Sequence, residues 1–169
     1  AEADESDGSF LKLRPYAAIV TNIEDDHLDH YGCKENLIAA FEKFLSLVAR
    51  DGFSVLCIDN PEVKKLAEKV SNRITYGLTK GADYTARNIE YYPDCTKATV
   101  FNKEKILGLL ELPVPGLHNI TNALAALATS HRLGLDFATI AKGLRNFKSA
   151  GRRFQTVGIV NDICIIDDY

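Results

Sequence analysis

Two rhythms of apolar and polar positions run along the chain. Continuous apolar runs at 17–23 (AAIVTNI), 53–58 (FSVLCI) and 162–167 (DICIID) are rich in β-branched residues and bounded by polar or turn residues. That is the pattern of strands covered on both faces in a parallel sheet. Between the first two, Leu37, Ile38, Phe41, Phe44, Leu45 and Val48 recur at helical spacing within 34–50, and Gly52 follows as a stop. Asn60 as N-cap and Pro61 at the first helical position predict a helix over 60–71, and RITYG at 73–77 reads as another short strand. Residues 84–112 hold three strand-like runs separated by the turn-like PDCTK and NKEK, which predicts an antiparallel meander at one edge. Helical spacing returns at 119–133, rich in Ala, and at 136–146. Strand, helix, strand, helix, strand implies right-handed crossovers and a sheet covered by helices. The expected fold is α/β: a mostly parallel sheet flanked by helices, with a small three-stranded antiparallel insert, in one domain over 1–169.

Composition agrees with such a domain. The 169 residues are 46% hydrophobic and 25% charged, with net charge −3, which gives no reason to expect binding to nucleic acid or to an anionic membrane. Apolar stretches such as AAIV and ALAALA are too short to span a bilayer, and the start shows no basic-then-apolar signal pattern. Cys33, Cys57, Cys95 and Cys164 are scattered without a C-x-x-C pair, so a reducing cytoplasm is expected; Cys57 and Cys164, inside apolar runs, read as small core residues.

Candidate chemistry gathers where strands end. The first predicted strand runs straight into NIEDDHLDHYG (22–32), six of whose residues are acids or histidines. Such a stretch is either a capped, solvated loop or a place for a cation. The opening AEADESD adds Glu2, Asp4, Glu5 and Asp7. Alone it reads as a solvated terminus. Folded beside 22–32 it would be costly unless a divalent cation neutralised the two stretches. A hard cation such as Mg²⁺ takes few protein ligands and keeps several waters beside phosphate. His27 is then the natural ligand, with Asp26 or Asp29 orienting its other ring nitrogen. In PGLHNITNALAALA (115–128), Asn119 and Asn122 share one face of a helix start and can present carboxamides to a nucleobase; simple capping by Asn119 is the plainer reading. SAGRRF (149–154) offers Arg152 and Arg153 as a phosphate clamp or a surface ion pair, and IIDDY (165–169) ends a strand in two acids, a common place to hold ribose.

The order of these motifs, EADESD, TNIEDDHLDHYG, PGLHN, GRRF and DDY, resembles the Mur ligases of peptidoglycan synthesis across the whole chain, and EADESD points to the alanine-adding branch. The resemblance implies ATP-dependent amide formation through an acyl phosphate, with ATP and Mg²⁺ as cofactors and UDP-N-acetylmuramate and L-alanine as substrates of a bacterial cytoplasmic enzyme. By position it implies Glu2 and His27 as metal ligands, Asn119, Asn122 and the adjacent His118 at adenine, Arg153 at the ATP phosphates and Asp168 at ribose. A murein tripeptide-recycling ligase of the same family, or a nucleotide-binding domain without catalysis, are the alternatives. Two departures stand out. Some branches carry a modified lysine about fifteen residues past the histidine; Phe41 and Glu42 occupy that place, and the neighbouring Lys43 is given no role. The family's G-x-x-G-K-[ST] phosphate loop is absent from the sequence. The chain is therefore expected to be most of a central ATP-binding domain, incomplete at its N-terminus and inactive alone. The spatial expectation is that Glu2 and His27 lie at one rim of the sheet and face Asn119 and Arg153 across a single cleft.

Overall fold

A computed structural model describes residues 2–93, 95–147, 155–161 and 163–167. Six strands form one sheet in chain order: β1 (Ala17–Val20), β2 (Phe53–Cys57), β3 (Arg73–Tyr76), β4 (Tyr84–Tyr91), β5 (Thr96–Asn102) and β6 (Lys105–Leu112). The first four run parallel, while β5 is antiparallel to both its neighbours. Hence β6 points the same way as β1, and the chain leaves both strands at the same edge of the sheet. The meander is a continuation of the sheet, joined to the parallel half by the single pairing of Tyr76 with Tyr84.

Strand β2 shows why the sheet is covered on both faces. All five of its residues are buried. Phe53, Val55 and Cys57 belong to one hydrophobic cluster, and Leu56, followed by Ile58, belongs to the other, as a side-chain period of two requires. On one face lie α2 (Lys34–Ser46) and α3 (Pro61–Lys69), which contribute Leu37, Ala40, Phe44, Leu45, Val63, Leu66 and Ala67. On the other lie α4 (Leu117–Arg132) and α5 (Phe137–Arg145). The Ala-rich face of α4 lets that helix pack closely on the strands, with Leu124, Leu127 and Ala128 fully buried. Gly108 makes room for α5: with φ +155° it lies under the Phe137 ring, where a Cβ would overlap ring atoms.

Helix ends follow the expected chemistry. The Asn60 side chain accepts from the Glu62 and Val63 amides at 3.0 Å with Pro61 behind it, and Asp136 accepts from the Thr139 amide at 3.0 Å. The predicted helix over 34–50 closes at Ser46, and the predicted strand over 17–23 stops at Val20, with residues 21–27 outside any helix or strand. The run at 162–167 departs from expectation. Ile163–Asp167 forms β8, which pairs antiparallel with β7 (Gln155–Val160) in a separate two-stranded sheet. Its apolar residues are exposed, as is Cys164, so neither a covered parallel strand nor a core cysteine results. Cys57 is buried as expected, and none of the four cysteines is in a disulfide. No helix among the described residues is long and apolar enough to cross a membrane.

Candidate active site at the C-terminal edge of the sheet

The acidic opening segment folds onto the loop that follows β1. A left-handed turn at Gly8 (φ +73°) leads into a short 3-10 turn, Ser9–Lys12, whose Phe10 is 2% exposed and packs edge-on to Phe41 and tilted against Phe44. Above that anchor the segment satisfies itself. Asp4 accepts from the Ser6 amide at 2.9 Å and Asp7 from the Ser9 amide at 2.8 Å; hydrogen bonding from the Ser6 and Ser9 side chains first, and then from these amides, holds both carboxyls below the usual carboxylate range. The segment touches the loop at two points. The Tyr31 hydroxyl donates to the Glu5 carbonyl at 2.5 Å, and the His27 Nε2 lies 3.7 Å from the Glu5 carboxylate.

The loop itself is fixed from three sides. His27 has φ 55° and ψ 28°, an uncommon conformation for a residue with a side chain. Its amide donates to Asp26 Oδ1 at 2.9 Å, while its Nδ1 lies 4.0 Å from the same oxygen. A one-turn helix, α1 (Leu28–Tyr31), follows directly. The Lys34 ammonium reaches Asp25 at 2.8 Å and Glu62 of α3 at 3.7 Å; the bond to Asp25, largest of several causes, raises its pKa above the usual lysine value. The Asn60 amide also donates to the Ile23 carbonyl at 3.2 Å, which ties this loop to the one after β2. Glu5, Asn22, Glu24, Asp26 and His27 then line a cavity of about 150 Å³.

The donor set suits a hard divalent cation in part. An imidazole nitrogen and a carboxylate 3.7 Å apart could both bind one ion, since Mg²⁺ uses one or two carboxylates and fills its remaining sites with water and phosphate. Among the described residues, no cluster of three or more His, Cys, Asp or Glu side chains makes a complete cage.

A second cavity of about 200 Å³ lies at the start of α4, lined by Asn119 and Asn122 with Leu112, Val114, Ala123, Ala126, Leu144 and Phe147. Apolar walls with two carboxamides suit a flat heteroaromatic ring. Helix α4 starts two residues before Asn119, with Gly116 at the N-cap position, so Asn119 does not cap the helix. It sits inside the first turn and donates to the Pro115 carbonyl at 2.5 Å, which uses one of its two amide hydrogens. His118 is adjacent and exposed.

Comparison with known proteins places this architecture. The model of the Mur ligase middle domain matches residues 2–130. The chain belongs to the Mur ligase family. Across its whole length it is 50% identical to the UDP-N-acetylmuramate–L-alanine ligases of Desulforamulus reducens and of Pelotomaculum thermopropionicum, covering 37% of each. The crystal structure of the UDP-N-acetylmuramate–alanine ligase of Thermotoga maritima superposes with a TM-score of 0.86 at 32% identity, over 99% of this chain and 37% of that one. The chain therefore spans little more than a third of the length of the Mur ligases it matches.

Not every expected site residue of this Mur ligase domain is brought together. His27 meets the acidic segment, but the carboxylate against it belongs to Glu5; Glu2 is exposed nearer the chain's start. Asn119 and Asn122 share one cavity, as their spacing predicts. The His27 and Asn119 cavities follow strands that end at the same edge and are lined by different residues. Arg152, Arg153 and Asp168 lie outside the described residues. Sequence reasoning gave the contact with His27 to Glu2 and gave Tyr31 no role; turn-forming Ser6, Gly8 and Ser9 signal that the segment reverses and Tyr31 lies one helical turn past His27, but neither says which carboxylate meets the imidazole.

Proposed function

We propose that this chain is the middle, nucleotide-binding domain of a bacterial cytoplasmic ligase that joins L-alanine to UDP-N-acetylmuramate at the expense of ATP. The observation that carries this reading is 50% identity over the full chain to ligases of that name. The acidic segment and the His27 loop, packed together at the sheet edge, support it with a place for the chemistry. A murein tripeptide ligase is the weaker reading: one from Neisseria meningitidis shares 26% identity with this chain.

In this reading the sugar acid's carboxylate takes the γ-phosphoryl group of ATP, and the alanine amine then displaces phosphate from the acyl phosphate to give the amide, ADP and phosphate. The Asn119 and Asn122 carboxamides orient the adenine between the apolar walls of their cavity. Arg153 offsets charge on the transferred group, and Asp168 holds the ribose. His27, with Glu2 and Glu5, would hold a divalent cation. When bound, such an ion neutralises the crowded phosphate and carboxylate oxygens. Asp26, hydrogen-bonded to the His27 amide, holds the His27 backbone in its unusual conformation.

The test is phosphate release from the longer protein with UDP-N-acetylmuramate, alanine, ATP and Mg²⁺, against a His27→Ala variant. Turnover that falls at least a hundredfold in the variant is expected, a fall within the range for loss of a charge-stabilising group. The 169-residue chain alone, without a G-x-x-G-K-[ST] loop, should release no phosphate. Full activity in the variant would refute the assignment of His27, and a wild-type protein inert with these substrates would refute the reaction.

A further inference from the structure

Tyr31 connects the two halves of the proposed cation site. It lies four residues past His27, at the end of α1, and its ring packs at the margin of the α2 and α3 cluster, edge-on to His30 at 4.7 Å. Its hydroxyl reaches back across 26 residues of sequence to the Glu5 carbonyl, which also accepts from the Gly8 amide at 3.1 Å. Among the described residues this is the one hydrogen bond between the acidic segment and the loop that carries His27; the segment's other hydrogen bonds are internal. The fit is close: a Cβ at Gly8 would stand 3.3 Å from the His30 ring and 3.9 Å from the Tyr31 oxygen.

We propose that Tyr31 is a positioning residue for the divalent cation, holding the acidic segment at the distance from His27 that lets their side chains share one ion. The proposal rests on the ligase reading for the ion's purpose, but its geometry stands on contacts within this chain. A phenol suits the task. Its hydroxyl donates a hydrogen bond without placing further charge beside the carboxylates. The hydroxyl also reaches a backbone carbonyl, which leaves the Glu5 carboxylate available to the ion.

Tyr31→Phe keeps the ring and removes the bond. Two readouts decide, and neither needs turnover. In the 169-residue chain, amide hydrogen exchange at Gly8 should quicken severalfold while core amides of β2 are unchanged. In the longer protein with ATP, Mn²⁺ affinity measured by electron paramagnetic resonance should fall about tenfold, the usual effect of losing a group that orients metal ligands. Gly108→Ala, at the opposite side of the sheet, controls for general destabilisation and should leave Mn²⁺ affinity alone. Unchanged exchange at Gly8, unchanged Mn²⁺ affinity, or an equal loss in the Gly108 variant would each overturn the role of Tyr31. A wild-type protein that binds Mn²⁺ with this dependence on Tyr31 but forms no amide would count against the ligase reading and leave the positioning role standing.

Discussion

Phe10 ties the acidic segment to the fold, and its removal should be costly in a measurable way. The side chain is 2% exposed and its ring meets Phe41 at 5.4 Å and Phe44 at 4.9 Å, while the carboxylates beside His27 lie only a few residues upstream. Truncating a buried Phe to Ala costs about 3–5 kcal/mol, from lost transfer energy and the remaining cavity. Phe10→Leu keeps most of the volume and gives up two ring pairs of about 0.5–1.5 kcal/mol each, so about 1–3 kcal/mol is expected. For a domain of this size each kcal/mol moves the midpoint by about 2–4 °C, which puts the Ala variant about 6–20 °C below wild type. Thermal unfolding by far-ultraviolet circular dichroism measures the midpoint, and urea unfolding the free energy. An Ala variant within about 1 kcal/mol of wild type would refute the reasoning, because a segment that frays by itself cannot transmit the loss to the cooperative unit. In that event the proposed cation site would owe its shape to something other than the aromatic anchor.

Two further changes probe other parts of the molecule. Gly108→Ala pushes a methyl group into the Phe137 ring at a left-handed backbone position and should lower stability by about 1–3 kcal/mol in urea; a neutral result would mean that α5 shifts freely on β6. Asp136 accepts hydrogen bonds from the Thr139 hydroxyl and then from its amide, which lower its folded-state pKa. A depressed carboxyl contributes stability above its unfolded pKa and loses it as the pH falls through the folded value. Asp136→Asn should therefore flatten the acid side of the stability profile, below about pH 4, and parallel profiles for the two proteins would contradict this.

Most of the fold could be read because periodicity reports burial. The residues of α2 that recur at helical spacing are those against the sheet, and the uninterrupted apolar run of β2 is covered on both faces. Asn60 with Pro61 marked the start of α3 to the residue. The run at 162–167 misled for the same reason: an apolar run predicts burial, but in this chain Ile163, Ile165 and Ile166 are exposed in a hairpin. The local cue was Asn161, whose left-handed φ of 49° allows Val160 to face Ile163 across the ladder. At the candidate site, residue type singled out His27, and spacing put Asn119 and Asn122 on one face, where they line one cavity. Which carboxylate faces the imidazole depends on a reversal at Gly8, and no spacing rule distinguishes Glu5 from Glu2.

The single rung between Tyr76 and Tyr84 bears on how this domain can change over evolutionary time. Beyond that rung the meander is held to the rest mainly through α4 and α5, against which Ala98, Val100, Leu110 and Leu112 pack. Its outward positions are therefore free to drift, provided those inward residues stay apolar, whereas the connection at 77–83 is pinned through Asp83 to Thr75 and through the Leu78 and Thr79 amides to Asp59. The parallel half has no such latitude, because each of its strands is locked into register with the next across helices that must keep their length.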